Sequence, residues 1–279
     1  MNYKMVGFVL GRIFLIEAAL MLFPMGCAAI YGEWSVVLSF LWPTLIVLAL
    51  GLITSLRTPQ NTKIYARDGL AIVALVWVLM SVFGALPFVI SGEIPSFADA
   101  FFETVSGFTT TGSTILTDVE ALSHGTLFWR SFSHWIGGMG VLVFAMAVLP
   151  MTDGRAMHLM RAEVPGPTCG KISSKLSDSA KILYAIYLVM TVIETILLCA
   201  GGMPLFDALI HAFGTAGTGG FSNKALSVGA YNSPYFEIVI GVFMLLFGIN
   251  FNLYYFLLLR HFREAFASEE MHVYLGIVA

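Results

Sequence analysis

A short pattern of carboxylate, threonine and glycine residues occurs twice in this chain, 108 positions apart. The first copy reads Asp99-Ala100, Glu103, then Thr109-Thr110-Thr111-Gly112-Ser113. The second reads Asp207-Ala208, His211, then Gly217-Thr218-Gly219-Gly220-Phe221. Both lie between long apolar stretches, which places both at membrane depth. Threonine hydroxyls and closely spaced carbonyls are oxygen donors that can replace the hydration shell of a cation. Glycine permits the left-handed dihedrals that turn successive carbonyls to one side. The chemistry suggested is ion permeation through a filter. Thr109, Thr110, Thr111, Gly112 and Ser113 form one strand, and Thr218, Gly219, Gly220 and Phe221 a second, with Gly112 and Gly220 in equivalent places.

Other polar residues fall around this pattern. Glu103 and His211 hold equivalent positions before the two loops and are candidates for bracing each short helix against its loop. Glu17, Glu194, His134 and Asn250 lie inside apolar stretches, where a polar group faces protein or water rather than lipid. They are read as interhelical hydrogen-bonding groups, with a proton relay or cation site as the sharper alternative. Arg130 stands at the outer end of a pore-flanking span and is a candidate to pair with an acidic residue of the outer side. Gly137-Gly138-Met139-Gly140 is read as a close helix-packing surface. A membrane enzyme using His124 or His134 is the competing class. It lacks the His-Glu-x-x-His, Gly-x-Ser-x-Gly and Gly-rich Lys-Ser/Thr motifs. Cys27, Cys169 and Cys199 show no metal-ligand spacing.

The elements that must position these residues follow from hydropathy. The chain has 279 residues, 58% hydrophobic and 11% charged, against roughly 25% charged in a soluble domain. Apolar runs at about 6–30, 34–56, 69–91, 129–150, 180–201 and 234–259 have the length of transmembrane helices, for which about 20 residues suffice. Two shorter pieces, about 96–107 and 204–214, begin near Pro95 and Pro204 and run into the Thr/Gly loops. They read as re-entrant pore helices whose C-termini favour a cation. The fold class expected is all-α and polytopic: two N-terminal transmembrane helices (1–58), then two repeats of helix, pore helix, filter loop and helix (66–152 and 174–263). Residues 264–279 then begin a third repeat.

Charge sets the orientation. With the N-terminus in the cytoplasm and both short pieces re-entrant from outside, Lys4, Arg12, Arg57, Lys63, Arg67, Arg155, Arg161, Lys171, Lys175, Lys181, Arg260 and Arg263 all lie inside. Only Arg130 and Lys224 are left outside. Glu33, Glu93, Asp99, Glu103, Asp118, Glu120, Asp207 and Glu237 fall outside, where an acidic vestibule would concentrate cations. The 108-residue offset also pairs Ala100 with Ala208, Thr110 with Thr218 and Gly140 with Gly248.

These motifs resemble the Trk/Ktr/HKT potassium transporters, most closely the bacterial TrkH branch. The resemblance rests on Phe108-Thr109-Thr110-Thr111-Gly112, on Trp129-Arg130-Ser131 with Trp135-Ile136-Gly137-Gly138-Met139-Gly140, and on Ala147-Val148-Leu149-Pro150. It continues in His211-Ala212-Phe213, Gly219-Gly220-Phe221-Ser222, and Gly248-Ile249-Asn250-Phe251 with Tyr254-Tyr255. The resemblance implies a channel-like potassium uptake protein of the bacterial inner membrane. Four repeats would surround one pore, with potassium held by Thr110, Thr111 and Gly112 and by Thr218, Gly219 and Gly220. Glycine rather than serine at 112 is the family pattern for potassium over sodium. The resemblance further implies a homodimer, a cytosolic nucleotide-binding regulatory subunit of the TrkA type, no organic cofactor and no nucleic acid. The chain stops at Ala279, with only two filter loops where the family has four. A fragment is therefore expected, or two chains completing one pore. The potassium-binding subunit of a potassium-pumping ATPase shares the repeat plan and is the alternative transport reading.

Overall fold

A computed structural model describes residues 1–61, 65–140, 176–262 and 268–278. These residues are helical with no strand among them. The N-terminal unit is α1 (Tyr3–Leu20), α2 (Leu22–Ile30) and α3 (Trp34–Ser55). A first set follows: α4 (Ala66–Ser91), the short α5 (Phe97–Phe108) and α6 (His124–Gly138). A second set is α7 (Leu176–Ala200), the short α8 (Leu205–Ala216), α9 (Pro234–Phe247) and α10 (Phe251–Leu258), with α11 (Glu269–Val278) last. Four spans, Tyr3–Ile30, Trp34–Ser55, Arg67–Ser91 and Ala180–Ala200, are long and apolar enough to cross a membrane.

Local chemistry explains the helix starts. Asn2 caps α1 by accepting from the Met5 N–H, and Ser96 caps α5 by accepting from the Asp99 N–H. Ser123 does the same for α6 through Thr126, each satisfying an orphan first-turn donor. Pro204 occupies the N-cap of α8. Glu33 adds a second cap to α6: its carboxylate accepts from the backbone N–H groups of His124 at 2.9 Å and Gly125 at 3.0 Å, and meets the His124 ring at 2.9 Å. This ties the α2–α3 turn to the start of α6. Burial alone would push the Glu33 carboxyl up, but the Gly125 and His124 hydrogen bonds hold it below its ordinary value.

Two elements differ from expectation. The run at 234–259 is not one straight span: α9 and α10 meet at 89°. Asn250 caps α10 by accepting from the Asn252 N–H. Tyr254 donates to the Leu246 carbonyl at 2.6 Å and Tyr274 to the Leu245 carbonyl at 2.9 Å. Those hydroxyls supplement the shortened backbone bonding at the bend, where the Leu246 carbonyl also accepts from the Ile249 N–H at 3.2 Å, as apolar surroundings require. Gly140 and Gly248 accordingly diverge, the first left-handed at φ +78° and the second right-handed. The apolar run at 129–150 starts five residues earlier than expected, at His124, because Ser123 and Glu33 provide the cap. Its part beyond 140 lies outside the described residues, as do Ala147–Pro150, Cys169, Lys63, Arg155, Arg161, Lys171, Lys175 and Arg263.

The main core gathers α1, α3, α4, α5 and α6 around Phe40, Phe88, Phe108 and Trp129. The Trp129 indole donates to the Gly84 carbonyl at 2.9 Å. A Cβ on Gly84 would press on Thr104 and Phe108, so α4 sits close against the pore helix.

Candidate functional site

The two Thr/Gly loops take the same backbone path. Thr110 has φ +56° and Thr218 φ +55°; Gly112 has φ +76° and Gly220 φ +79°. Left-handed residues thus alternate with ordinary ones at matching positions. This alternation is what aims successive peptide groups at one side. For threonine, the left-handed region costs roughly 1–2 kcal/mol, so the surroundings must impose it. Gly112 and Gly220 supply the bend expected of them, and Thr110 and Thr218 share it.

Hydrogen bonds that repeat at the 108-residue offset impose the path. The Thr110 N–H donates to the Gly107 carbonyl and the Thr218 N–H to the Thr215 carbonyl. The Thr111 N–H donates to Ser106, and the Gly219 N–H to Gly214. Each loop is thereby folded back on the last turn of its own pore helix, α5 or α8. The Ser106 hydroxyl donates to the Ser113 carbonyl at 2.6 Å. At the equivalent place Gly214 packs against the Phe221 backbone, leaving no room for a Cβ.

Glu103 and His211 occupy equivalent positions here too. Glu103 accepts from the Thr114 hydroxyl at 2.8 Å and from the Ile115 N–H at 3.1 Å. His211 Nε2 meets the Ser222 hydroxyl at 3.1 Å, while its Nδ1 contacts the Asp207 carbonyl at 2.8 Å. Thr114 and Ser222 are themselves 108 residues apart. One hydroxyl after each loop therefore links it to the middle of its pore helix.

Arg130, on α6, joins the two loops. Its Nε donates to Glu103 at 2.5 Å, and the pair is buried, with side-chain exposures of 3% and 0%. Its terminal nitrogen donates to the Ser222 carbonyl at 3.0 Å, and its guanidinium lies 3.5 Å from the Phe221 ring centroid. Phe221 is buried and packs edge-on against His134 at 4.0 Å. Arg130 is the one Arg or Lys in α6, which is the sequence signal for this role. The matching hydroxyls at 114 and 222 are the signal for the braces.

The strands also touch each other. A Cβ on Gly112 would collide with the Gly219 carbonyl, and one on Gly219 with His134 Nε2 and, at 2.8 Å, the Thr110 carbonyl. Gly137 lies under the Phe108 carbonyl, and Gly138 under the Ala216 carbonyl and Gly217. The glycines of α6 let it wedge between both pore-helix ends. Thr109, Thr111, Ser113, Thr218 and Gly220 remain exposed, while Thr110, Gly112 and Gly219 are half-buried. The Thr109 and Thr111 hydroxyls bond each other at 2.8 Å.

Several acidic residues expected to form an open vestibule are engaged. Asp207 receives bonds from Asn223 at 2.6 Å and Tyr231 at 2.7 Å. Glu93 accepts from the Ser123 N–H at 3.3 Å. Glu120 accepts from the Ala225 N–H at 3.2 Å and pairs with Lys224 at 3.4 Å, linking the segments that follow the two loops. Among the described residues, Glu17 is buried with both carboxyl oxygens lacking a hydrogen bond. The interhelical hydrogen bond expected of it is therefore not formed, whereas buried Glu194 on α7 faces the Thr215 hydroxyl of α8 and Asn250 bonds Glu270 at 3.0 Å.

Known proteins share this fold. A family model described as "TrkH: Cation transport protein" matches residues 35–276. The Trk system potassium uptake protein TrkH of Salmonella typhimurium is 36% identical over 284 residues, covering 99% of this chain and 58% of that protein. The Trk system potassium uptake protein TrkG of Escherichia coli is 35% identical, covering 93% and 54%. The crystal structure of the potassium transporter TrkH from Vibrio parahaemolyticus superposes with a TM-score of 0.77 at 31% identity, covering 91% of this chain and 52% of that one. The chain thus spans little more than half the length of these relatives. With 242 consecutive positions inside the family model and the fold in common, the chain belongs to the TrkH family of cation transport proteins.

Proposed function

We propose that this chain supplies two of the filter strands of a bacterial potassium uptake transporter in the inner membrane. Its two pore repeats lie within 66–152 and 174–263. The observation that carries the reading is the matched left-handed pair in each loop, Thr110 with Gly112 and Thr218 with Gly220. Such a strand presents a column of carbonyl oxygens, which suits a cation that must shed water. The potassium ligands are the carbonyls of Thr110, Thr111 and Gly112 and of Thr218, Gly219 and Gly220. Glu103 and His211 hold the strands rather than bind the ion, since both are occupied by Thr114, Arg130 and Ser222. Conduction needs two further strands, from the remainder of the transporter. The full assembly is a homodimer with the N-terminus cytoplasmic, regulated by a nucleotide-binding subunit of the TrkA type.

The test is selectivity in the whole transporter, expressed in cells lacking potassium uptake. Gly112→Ser is expected to admit sodium relative to potassium. Gly220→Ser repeats the test where a Cβ meets no atom within 4 Å. Retained uptake with unchanged selectivity in both variants refutes the filter assignment.

A further inference from the structure

His134, on α6, takes no part in the two braces, yet it is wholly buried beside the second strand. It meets that strand at every second residue. Its backbone lies against Gly217, where a Cβ would stand 2.7 Å from the His134 carbonyl oxygen. Its ring lies against Gly219, where a Cβ would collide with both Nε2 and Cδ2. The ring also meets Phe221 edge-on at 4.0 Å between centroids. The residues between these contacts, Thr218 and Gly220, are the left-handed pair.

The first strand closes on the same residue from the other side. The Gly219 carbonyl is the group that a Cβ on Gly112 would strike. Gly219 is therefore held between the His134 ring and the Gly112 backbone. The Arg130 carbonyl, one turn earlier on α6, faces the ring. Nε2, the atom at Gly219, has no hydrogen-bond partner among the described residues. What the ring gives the strand is contact.

We propose that His134 is a specificity-determining residue whose ring fixes the depth of the Gly219 carbonyl in the filter. This rests on that carbonyl being a potassium ligand, as proposed above. Groups packed at crystal-like density pass the position of one on to the next. A space left by a removed side chain is only partly refilled by its surroundings. With the ring gone, Gly219 can retreat from Gly112, and the strand yields to an ion larger than potassium. The residue 108 positions on from His134 is Val242, which has no ring to play this part. The wedge thus belongs to the boundary between these two strands.

The whole transporter, expressed in cells lacking potassium uptake, tests this through the ratio of caesium to potassium uptake. A merely structural role would change the amount of working transporter and leave that ratio alone. His134→Ala is expected to raise the ratio at least about fivefold, equivalent to about 1 kcal/mol between the two ions. His134→Val, a milder truncation, should do the same and serves if the first does not fold. His134→Leu keeps most of the bulk and should hold the ratio within about twofold of the parent. An unchanged ratio in both truncations, with Gly112→Ser still admitting sodium, overturns the role of His134 and leaves the filter reading standing. No change in any of these variants, Gly112→Ser included, overturns both. A ratio in His134→Leu as high as in His134→Ala also overturns the wedge, since the ring would then act through its nitrogens and not its bulk.

Discussion

Removing Arg130 should be among the most destabilising single changes in the filter region. In Arg130→Met the Glu103 carboxylate, wholly inaccessible, loses its counter-charge while keeping Thr114 and Ile115. Breaking a buried ion pair by removing one partner costs about 3–5 kcal/mol, because the remaining charge is buried and uncompensated. The lost bond to the Ser222 carbonyl and the contact with Phe221 act on the same side chain. They are not additive with that figure, so the expected loss is about 4 kcal/mol. Much of it is the penalty on Glu103, and Glu103→Gln in the same chain should return about 2 kcal/mol. The double variant is then more stable than Arg130→Met alone. Denaturant unfolding in detergent, followed by tryptophan fluorescence of the four variants, measures this cycle. A loss below about 1 kcal/mol, the scale of an exposed pair, refutes the burial argument. A double variant no better than Arg130→Met refutes the assignment of the penalty to an unpaired Glu103.

Other expectations follow from the same geometry. Gly219→Ala drives a Cβ into His134 Nε2 and toward the Thr110 carbonyl, an overpacking worth about 1–3 kcal/mol. His134→Ala should relieve part of it, and strictly additive melting shifts would place His134 elsewhere. Glu33 is held below its ordinary value by its hydrogen bonds to Gly125 and His124. A carboxyl whose folded value is lowered contributes stability that is complete above the unfolded value of about 4.3 and is lost as pH falls through the folded value. Glu33→Gln should therefore flatten the acid limb of the stability profile just below about pH 4.3, and cost about 1 kcal/mol at neutral pH as a weakened cap. An unchanged acid limb would exclude Glu33 as a source of that pH dependence.

Much of this was readable from residue types because the repeat is gapless. Offset alone pairs Thr110 with Thr218 and Gly112 with Gly220, and these pairs carry the matched dihedrals. Length and hydropathy mark α1 to α4 and α7 as spans, because apolar runs of about 20 residues have few alternatives. The bend at 248–250 was not legible. An apolar sequence reads as a continuous span, and the break is supported by the Asn250 cap and by the distant hydroxyl of Tyr274 with that of Tyr254. The engaged state of Asp207, Glu93 and Glu120 was hidden for a similar reason. A count of acidic residues records charge, but their partners Asn223, Tyr231, Ser123 and Ala225 are set by how two loops pack.

The two loops reach one backbone shape by different chemistry, joined through Arg130. In the first, the brace is a charged carboxylate that needs Arg130 to balance it. In the second, His211 and Ser222 form a brace from a histidine and a hydroxyl, which needs no counter-charge while the ring is neutral. Arg130 satisfies the first brace while donating to the Ser222 carbonyl and covering Phe221 in the second. The second strand is therefore placed partly by a cation whose position the first brace fixes. Disturbing Glu103 should loosen both loops through Arg130, and because a coupling free energy is reciprocal, displacing Ser222 and Phe221 by disturbing His211 should in turn weaken the Arg130–Glu103 pair. The two strands are thus coupled through one cation, and a double-mutant cycle between Glu103→Gln and His211→Ala should show a non-zero interaction energy; strictly additive effects would refute the link.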